Sequence, residues 1–232
     1  MRSIKTFAAA AFLAVTVTTL ASAQEGPRPF RDSWFWGIRT GALSYTGYST
    51  PANAATVPAT PYVAPFVGLD WLITRTNGGL YVSYSQAFLS TQAAILNGPS
   101  SADTGYRAVN VKGLRRVDML GMLFPGSFVK WHPYVGFGAS MRYLGDAEAA
   151  GPFTTQKQAE YADFVVNDLK ASLGPAFMLG SQYRTRFASV FGQVMVSSMS
   201  REFLLASGQT TNFSLEFGLR YNLGTSISDK IP

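Results

Sequence analysis

From residue 34 onward, apolar and polar side chains alternate with a period of two, in segments separated by turn-forming residues. In 211–223 one face carries Phe213, Leu215, Phe217, Leu219, Tyr221 and Leu223, and the other Ser214, Glu216, Gly218, Arg220 and Asn222. In 132–144, Val135, Phe137, Ala139, Met141 and Tyr143 oppose Gly136, Gly138, Ser140 and Arg142. Successive side chains of a strand leave opposite faces, so this period predicts strands. Eight are predicted: 34–46, 62–74, 80–90, 113–124, 132–144, 167–180, 187–197 and 211–223. Each is near or above the length that crosses a bilayer at a tilt. Three connections are short (75–79, around Pro125-Gly126, and 181–186), and four are long (47–61, 91–112, 145–166 and 198–210). They alternate along the chain, as in bacterial barrels whose termini share the short-turn side. The region 91–112 leaves a ten-stranded reading open.

Alternation alone does not separate a membrane barrel from a soluble sandwich; the content of the faces does. The polar face is glycine, serine and a few charges, which suits the narrow interior of an eight-stranded barrel. Turned toward lipid, it would expose Arg39, Arg142, Lys170 and Arg220 at a cost on the order of 10 kcal/mol. The charges therefore point inward, and the apolar face meets acyl chains. Trp34, Trp36, Trp71 and Trp131 fall at the short-turn end in the lipid-facing phase, joined by Phe177 and Tyr221 as an interfacial aromatic belt. Phe88, Tyr143 and Phe213 make a thinner belt at the other rim. The predicted fold is an all-β, closed, antiparallel up-and-down transmembrane β-barrel.

Composition agrees. Charged residues make up 14% of the chain, against about 25% in soluble domains. Residues 1–23 read as a signal peptide: Arg2 and Lys5, an uncharged apolar run from Phe7 to Leu20, then Ala21-Ser22-Ala23 before a cut at Gln24. Residues 24–33 read as a linker on the periplasmic side, 34–223 as the barrel and 224–232 as a short tail. Beyond residue 23 no apolar run reaches the length of a membrane helix, so any crossing is made by strands whose edges are all paired. Without its leader the chain carries 17 basic and 13 acidic residues, a mild and dispersed excess that does not predict a nucleic-acid partner. The chain has no cysteine, which removes disulfides, thiolate metal sites and thiol catalysis.

Two segments resemble a known family. Glu216-Phe217-Gly218-Leu219-Arg220-Tyr221-Asn222-Leu223 has the order of the β-signal that barrel-assembly machinery recognises, and His132-Pro133-Tyr134-Val135-Gly136-Phe137-Gly138 is similar to a strand of small OmpA-type outer-membrane barrels. The resemblance implies the barrel fold, the outer membrane and assembly through Glu216, Gly218, Tyr221 and Leu223. It departs in that 224–232 follow the signal, and it implies no activity.

The inward charges are Arg39, Asp70, Arg116, Asp118, Arg142, Lys170, Glu216 and Arg220, a net of +2. They either line a narrow, slightly anion-preferring path or pair with one another, and pairing is favoured because side chains fill a barrel of this size. His132 is the single histidine; it lies by a short turn, whereas a lipid-modifying enzyme needs its base at the outer leaflet. Asp146, Glu148, Glu160 and Asp163 read as solvated loop acids, and neither a metal nor a cofactor is expected. Lys112 and Arg115, with Arg116 beside them, fall where the fourth strand meets the outer leaflet; they read as a plain juxtamembrane charge cluster, with pairing to lipopolysaccharide phosphates the less favoured alternative. The sequence therefore points to a non-enzymatic outer-membrane protein with a structural or surface-interaction role through its loops. A narrow channel is the alternative, and a lipid-modifying enzyme a weaker one.

Overall fold

The computed structural model describes residues 30–48, 59–99, 105–125, 130–185, 188–206 and 210–225. The leader and most of the linker and tail lie outside them. Eight strands follow one another: β1 Ser33–Tyr48, β2 Ala59–Thr74, β3 Gly78–Leu96, β4 Tyr106–Leu123, β5 Trp131–Ala149, β6 Ala171–Arg184, β7 Ala188–Ser198 and β8 Thr211–Thr225. Each pairs antiparallel with the next, and β1 closes on β8 from Ser33↔Thr225 to Leu43↔Ser214. The fold is thus a closed eight-stranded up-and-down barrel, and among the described residues of the region 91–112 lie the ends of β3 and β4.

Two strands run well past their predicted limits. The alternation of β4 and β5 changes phase at Gly113 and Gly145, which lie between the facing pairs Leu114↔Leu144 and Lys112↔Asp146. Gly113 has φ +74°, open mainly to glycine, and the β3–β4 register shifts between Ala87 and Ser90. A Cβ on Gly145 would lie 2.9 Å from the Lys112 carbonyl oxygen. Beyond this kink the ladder continues to Leu96↔Tyr106 and Val109↔Ala149.

The long connection between β5 and β6 contains a helix, α1 (Gln156–Leu169), which the strand pattern did not reveal. Thr155 caps it: its Oγ1 accepts from the Gln158 N–H, and the Gln158 side-chain oxygen accepts from the Thr154 N–H, a reciprocal closure of the first turn. Ala162 and Val166 are buried on one side of the helix.

The lumen is layered. At the short-turn end Phe30, Phe35, Leu72, Leu120, Phe124 and Tyr134 belong to one apolar cluster. At the long-loop end Leu43, Phe66, Ile95, Val109, Leu114 and Leu144 form another, joined by Ala162 and Val166 of α1 and by Met199, Phe203 and Leu205 between β7 and β8. Polar side chains fill the space between.

Candidate functional site

Strand alternation sends Arg39 of β1, Arg116 and Asp118 of β4 and Glu216 of β8 into the middle of the barrel, where all four are buried. They form a closed ionic ring. Arg39 reaches Asp118 at 3.0 Å and Glu216 at 2.8 Å; Arg116 reaches Asp118 at 3.1 Å and also pairs with Glu216. Each carboxylate thus bridges two guanidiniums, and hydroxyl and amide donors occupy its other lone pairs. Ser83 and Ser140 donate to Asp118 at 2.9 and 2.7 Å, and Ser214 and Gln193 donate to Glu216 at 2.7 Å each. Tyr81 accepts from Arg39 at 2.8 Å.

Closer to the short turns Arg220 pairs with Asp70 at 2.8 Å, donates to Gln182 at 2.9 Å and lies 3.8 Å from the centre of the Phe191 ring. Asp70 packs so tightly on β1 that a Cβ on Gly37 would sit 2.0 Å from its Oδ1. Arg142 is buried too, but among the described residues no ion pair engages it. It donates to the Ser198 carbonyl at 2.9 Å and to Ser197, and it faces Arg116 directly across the β4–β5 ladder.

Lys170 requires a correction. Strand six begins at Ala171 instead of 167, so Lys170 is the C-cap of α1 and not a lumen residue. Its Nζ donates to Asn167 at 2.6 Å and lies 5.5 Å from the centre of the outward-facing Tyr143 ring. Of the eight predicted interior charges, seven are then enclosed, four arginines against Asp70, Asp118 and Glu216, a net of +1 instead of +2; Arg107 of β4 is buried as well.

The outer face carries large aromatic side chains near the short turns. Trp34, Trp36, Trp71 and Trp131 are exposed on it, and Trp36 stands between Trp71 and Tyr221 in the ladder. Phe177 is not at the rim: β6 runs on to Arg184, which leaves Phe177 opposite Phe137 in mid-strand. Tyr183 takes its place, edge to face with Trp131 at 5.1 Å. Of the residues whose order resembles an assembly signal, Glu216 belongs to the ionic ring. The ring of Phe191 fills the space over Gly218, where a Cβ would meet it at 2.6 Å, and Leu223 faces outward.

Lys112 and Arg115 also face outward and are exposed, whereas Arg116 turns into the lumen. His132 is buried at the short-turn mouth, stacked on Phe30 with ring centres 4.0 Å apart, and its Nε2 has no hydrogen-bond partner among the described residues. Among these residues no three acidic or histidine side chains gather as metal ligands would. Tyr81, Ser83, Gln182 and Gln193 also point into the lumen and bond its charges. The period-two run of Tyr81, Ser83 and Ser85 in β3 is the signal that marks the first two as inward.

No protein family model matches the chain, and no curated protein matches it. Solved structures do. Neisserial surface protein A is 11% identical, with a TM-score of 0.49 over 81% of this chain and 96% of that one. The N-terminal β-barrel domain of Pseudomonas aeruginosa OprF is 9% identical, with a TM-score of 0.44 over 83% and 98%. Ail, the attachment invasion locus protein of Yersinia pestis, solved with the heparin analogue sucrose octasulfate, is 11% identical, with a TM-score of 0.41 over 82% and 99%.

Proposed function

We propose that this chain is an outer-membrane β-barrel with a structural or surface-interaction role, without enzymatic activity. The observation that carries the reading is a barrel turned inside out relative to a soluble protein. Arginines and carboxylates are sealed within it, while large apolar side chains face out around the wall: Phe137 is 68% exposed and Leu173 70%. Scattered exposed apolar residues are ordinary, but a continuous band is not compatible with water. Residues 1–23 supply export, β8 supplies the assembly signal, and the short turns face the periplasm. The long loops and α1 then form the outer contact surface.

The channel alternative has little support. Conduction would need an aqueous thread through three packed layers, and the ionic ring satisfies its own charges. In planar bilayers the purified protein is expected to show no discrete conductance; anion-biased steps would refute the sealed lumen. On a denaturing gel the unheated protein should run faster than the boiled one, and identical migration would argue against a membrane barrel.

A further inference from the structure

The position of Lys170 gives the outer wall a feature that the lumen does not explain. On three adjacent strands the ladder aligns Arg115, Tyr143 and Ala171. Lys170, just before Ala171, lies over the Tyr143 ring. The Arg115 Nε donates to Gln86 at 3.3 Å, so the row of the half-buried Tyr143 carries a guanidinium on its β4 side and the Lys170 ammonium over its ring. Below this row the next rung is Val117, Met141 and Leu173, all outward and exposed. Above it lies a polar groove of about 350 Å³. Its outward side chains form two further rungs, Ser90–Lys112–Asp146 and Gln92–Asn110–Glu148.

The height of the row matters. From Trp131 in the belt to Tyr143, β5 advances twelve residues, which at about 3.3 Å each and a tilt of about 40° spans about 30 Å. That is the thickness of the hydrocarbon layer, so Arg115 and Lys170 stand where outer-leaflet headgroups begin. One vertical strip thus offers an apolar wall, then two cations, then a groove of amides, hydroxyls and carboxylates with the Lys112 ammonium among them.

We infer that this strip binds a phosphorylated glycolipid of the outer leaflet. Acyl chains lie along Val117, Met141 and Leu173, a phosphate sits between Arg115 and Lys170, and the sugar occupies the groove beside Asn110 and Glu148. The order of the three chemistries matches that of such a lipid from tail to headgroup, and cations at this depth favour phosphate. A glycerophospholipid has no sugar for the groove. The inference rests on the membrane reading above.

The test titrates the detergent-solubilised full chain with diphosphoryl lipid A, its dephosphorylated form and phosphatidylglycerol, read by native mass spectrometry. Diphosphoryl lipid A binds at least tenfold tighter than either comparator. R115Q/K170Q abolishes the preference for phosphate, and Q92A/N110A removes the preference over phosphatidylglycerol. Equal affinity for phosphatidylglycerol, or binding unchanged in R115Q/K170Q, overturns the proposal. All variants are also run unheated and boiled: a wild-type chain that shows no heat-modifiable migration refutes the membrane reading itself, whereas heat-modifiable migration without lipid A preference refutes only the strip.

Discussion

At the scale of single residues, the ionic ring makes two buried charges behave very differently. Asp118 is the only carboxylate in contact with both Arg39 and Arg116 apart from Glu216 among the described residues. Asp118→Ala leaves two guanidiniums enclosed with one shared partner. Removing one member of a buried pair typically costs about 3–5 kcal/mol. Arg142 faces another arginine and holds only Ser198 and Ser197. Arg142→Met therefore trades two hydrogen bonds for relief from a like charge, and each effect is about 1 kcal/mol. Urea unfolding of protein refolded into vesicles checks both: a clear fall in midpoint for Asp118→Ala, and a midpoint near wild type for Arg142→Met. Equal losses would mean that the ring is not what sets stability in the lumen. The inward identity of both residues was legible in the sequence because alternation assigns a face. Their pairing was not, since it depends on how far around the barrel each strand lies from the others.

At the scale of elements, glycine decides what alternation can reveal. The predicted limits of strands four and five, 113 and 144, fall at the kink made by Gly113 and Gly145. A period-two pattern that changes phase there looks as though it has ended, although the ladder continues. A β-branched side chain at Gly113 would have to adopt its left-handed backbone at about 1–2 kcal/mol, and its Cβ would press on Gln86 at 2.9 Å. Gly113→Val should lower the urea midpoint while Gly121→Ala, an outward position with its nearest neighbour at 3.8 Å, leaves it unchanged. Helix α1 escaped notice for another reason. A search for strand period passes over Thr155-x-x-Gln158, a helix-start signature followed by buried positions four apart, Ala162 and Val166. Loss of the cap in Thr155→Ala costs about 1 kcal/mol, and α1 is held to the barrel on one side only. The expected result is faster proteolysis within 150–170 with an intact heat-modifiable barrel. Loss of heat modifiability as well would mean that the roof is needed for closure.

At the scale of the whole molecule, parity places both ends of the barrel chain on one side. Eight strands joined one after another bring Ser33 and Thr225 together at the end that also holds the connections from β2 to β3 and from β6 to β7. The other end carries α1, the 199–206 loop and the extensions of β3, β4 and β5, far more chain and polar surface. Insertion from the periplasm with the long end trailing would leave the belt of Trp34, Trp36, Trp71 and Trp131 in the outer leaflet and the cations Arg115 and Lys170 in the inner one. Insertion with the long end leading puts those cations among outer headgroups. The chain has no cysteine of its own, so single introduced thiols report orientation without background. Asn77→Cys marks an exposed short turn and Glu160→Cys an exposed position on α1. In intact cells a membrane-impermeant maleimide should label Glu160→Cys and spare Asn77→Cys until the outer membrane is permeabilised. The reverse pattern would invert the barrel, and with it every assignment made to the outer leaflet.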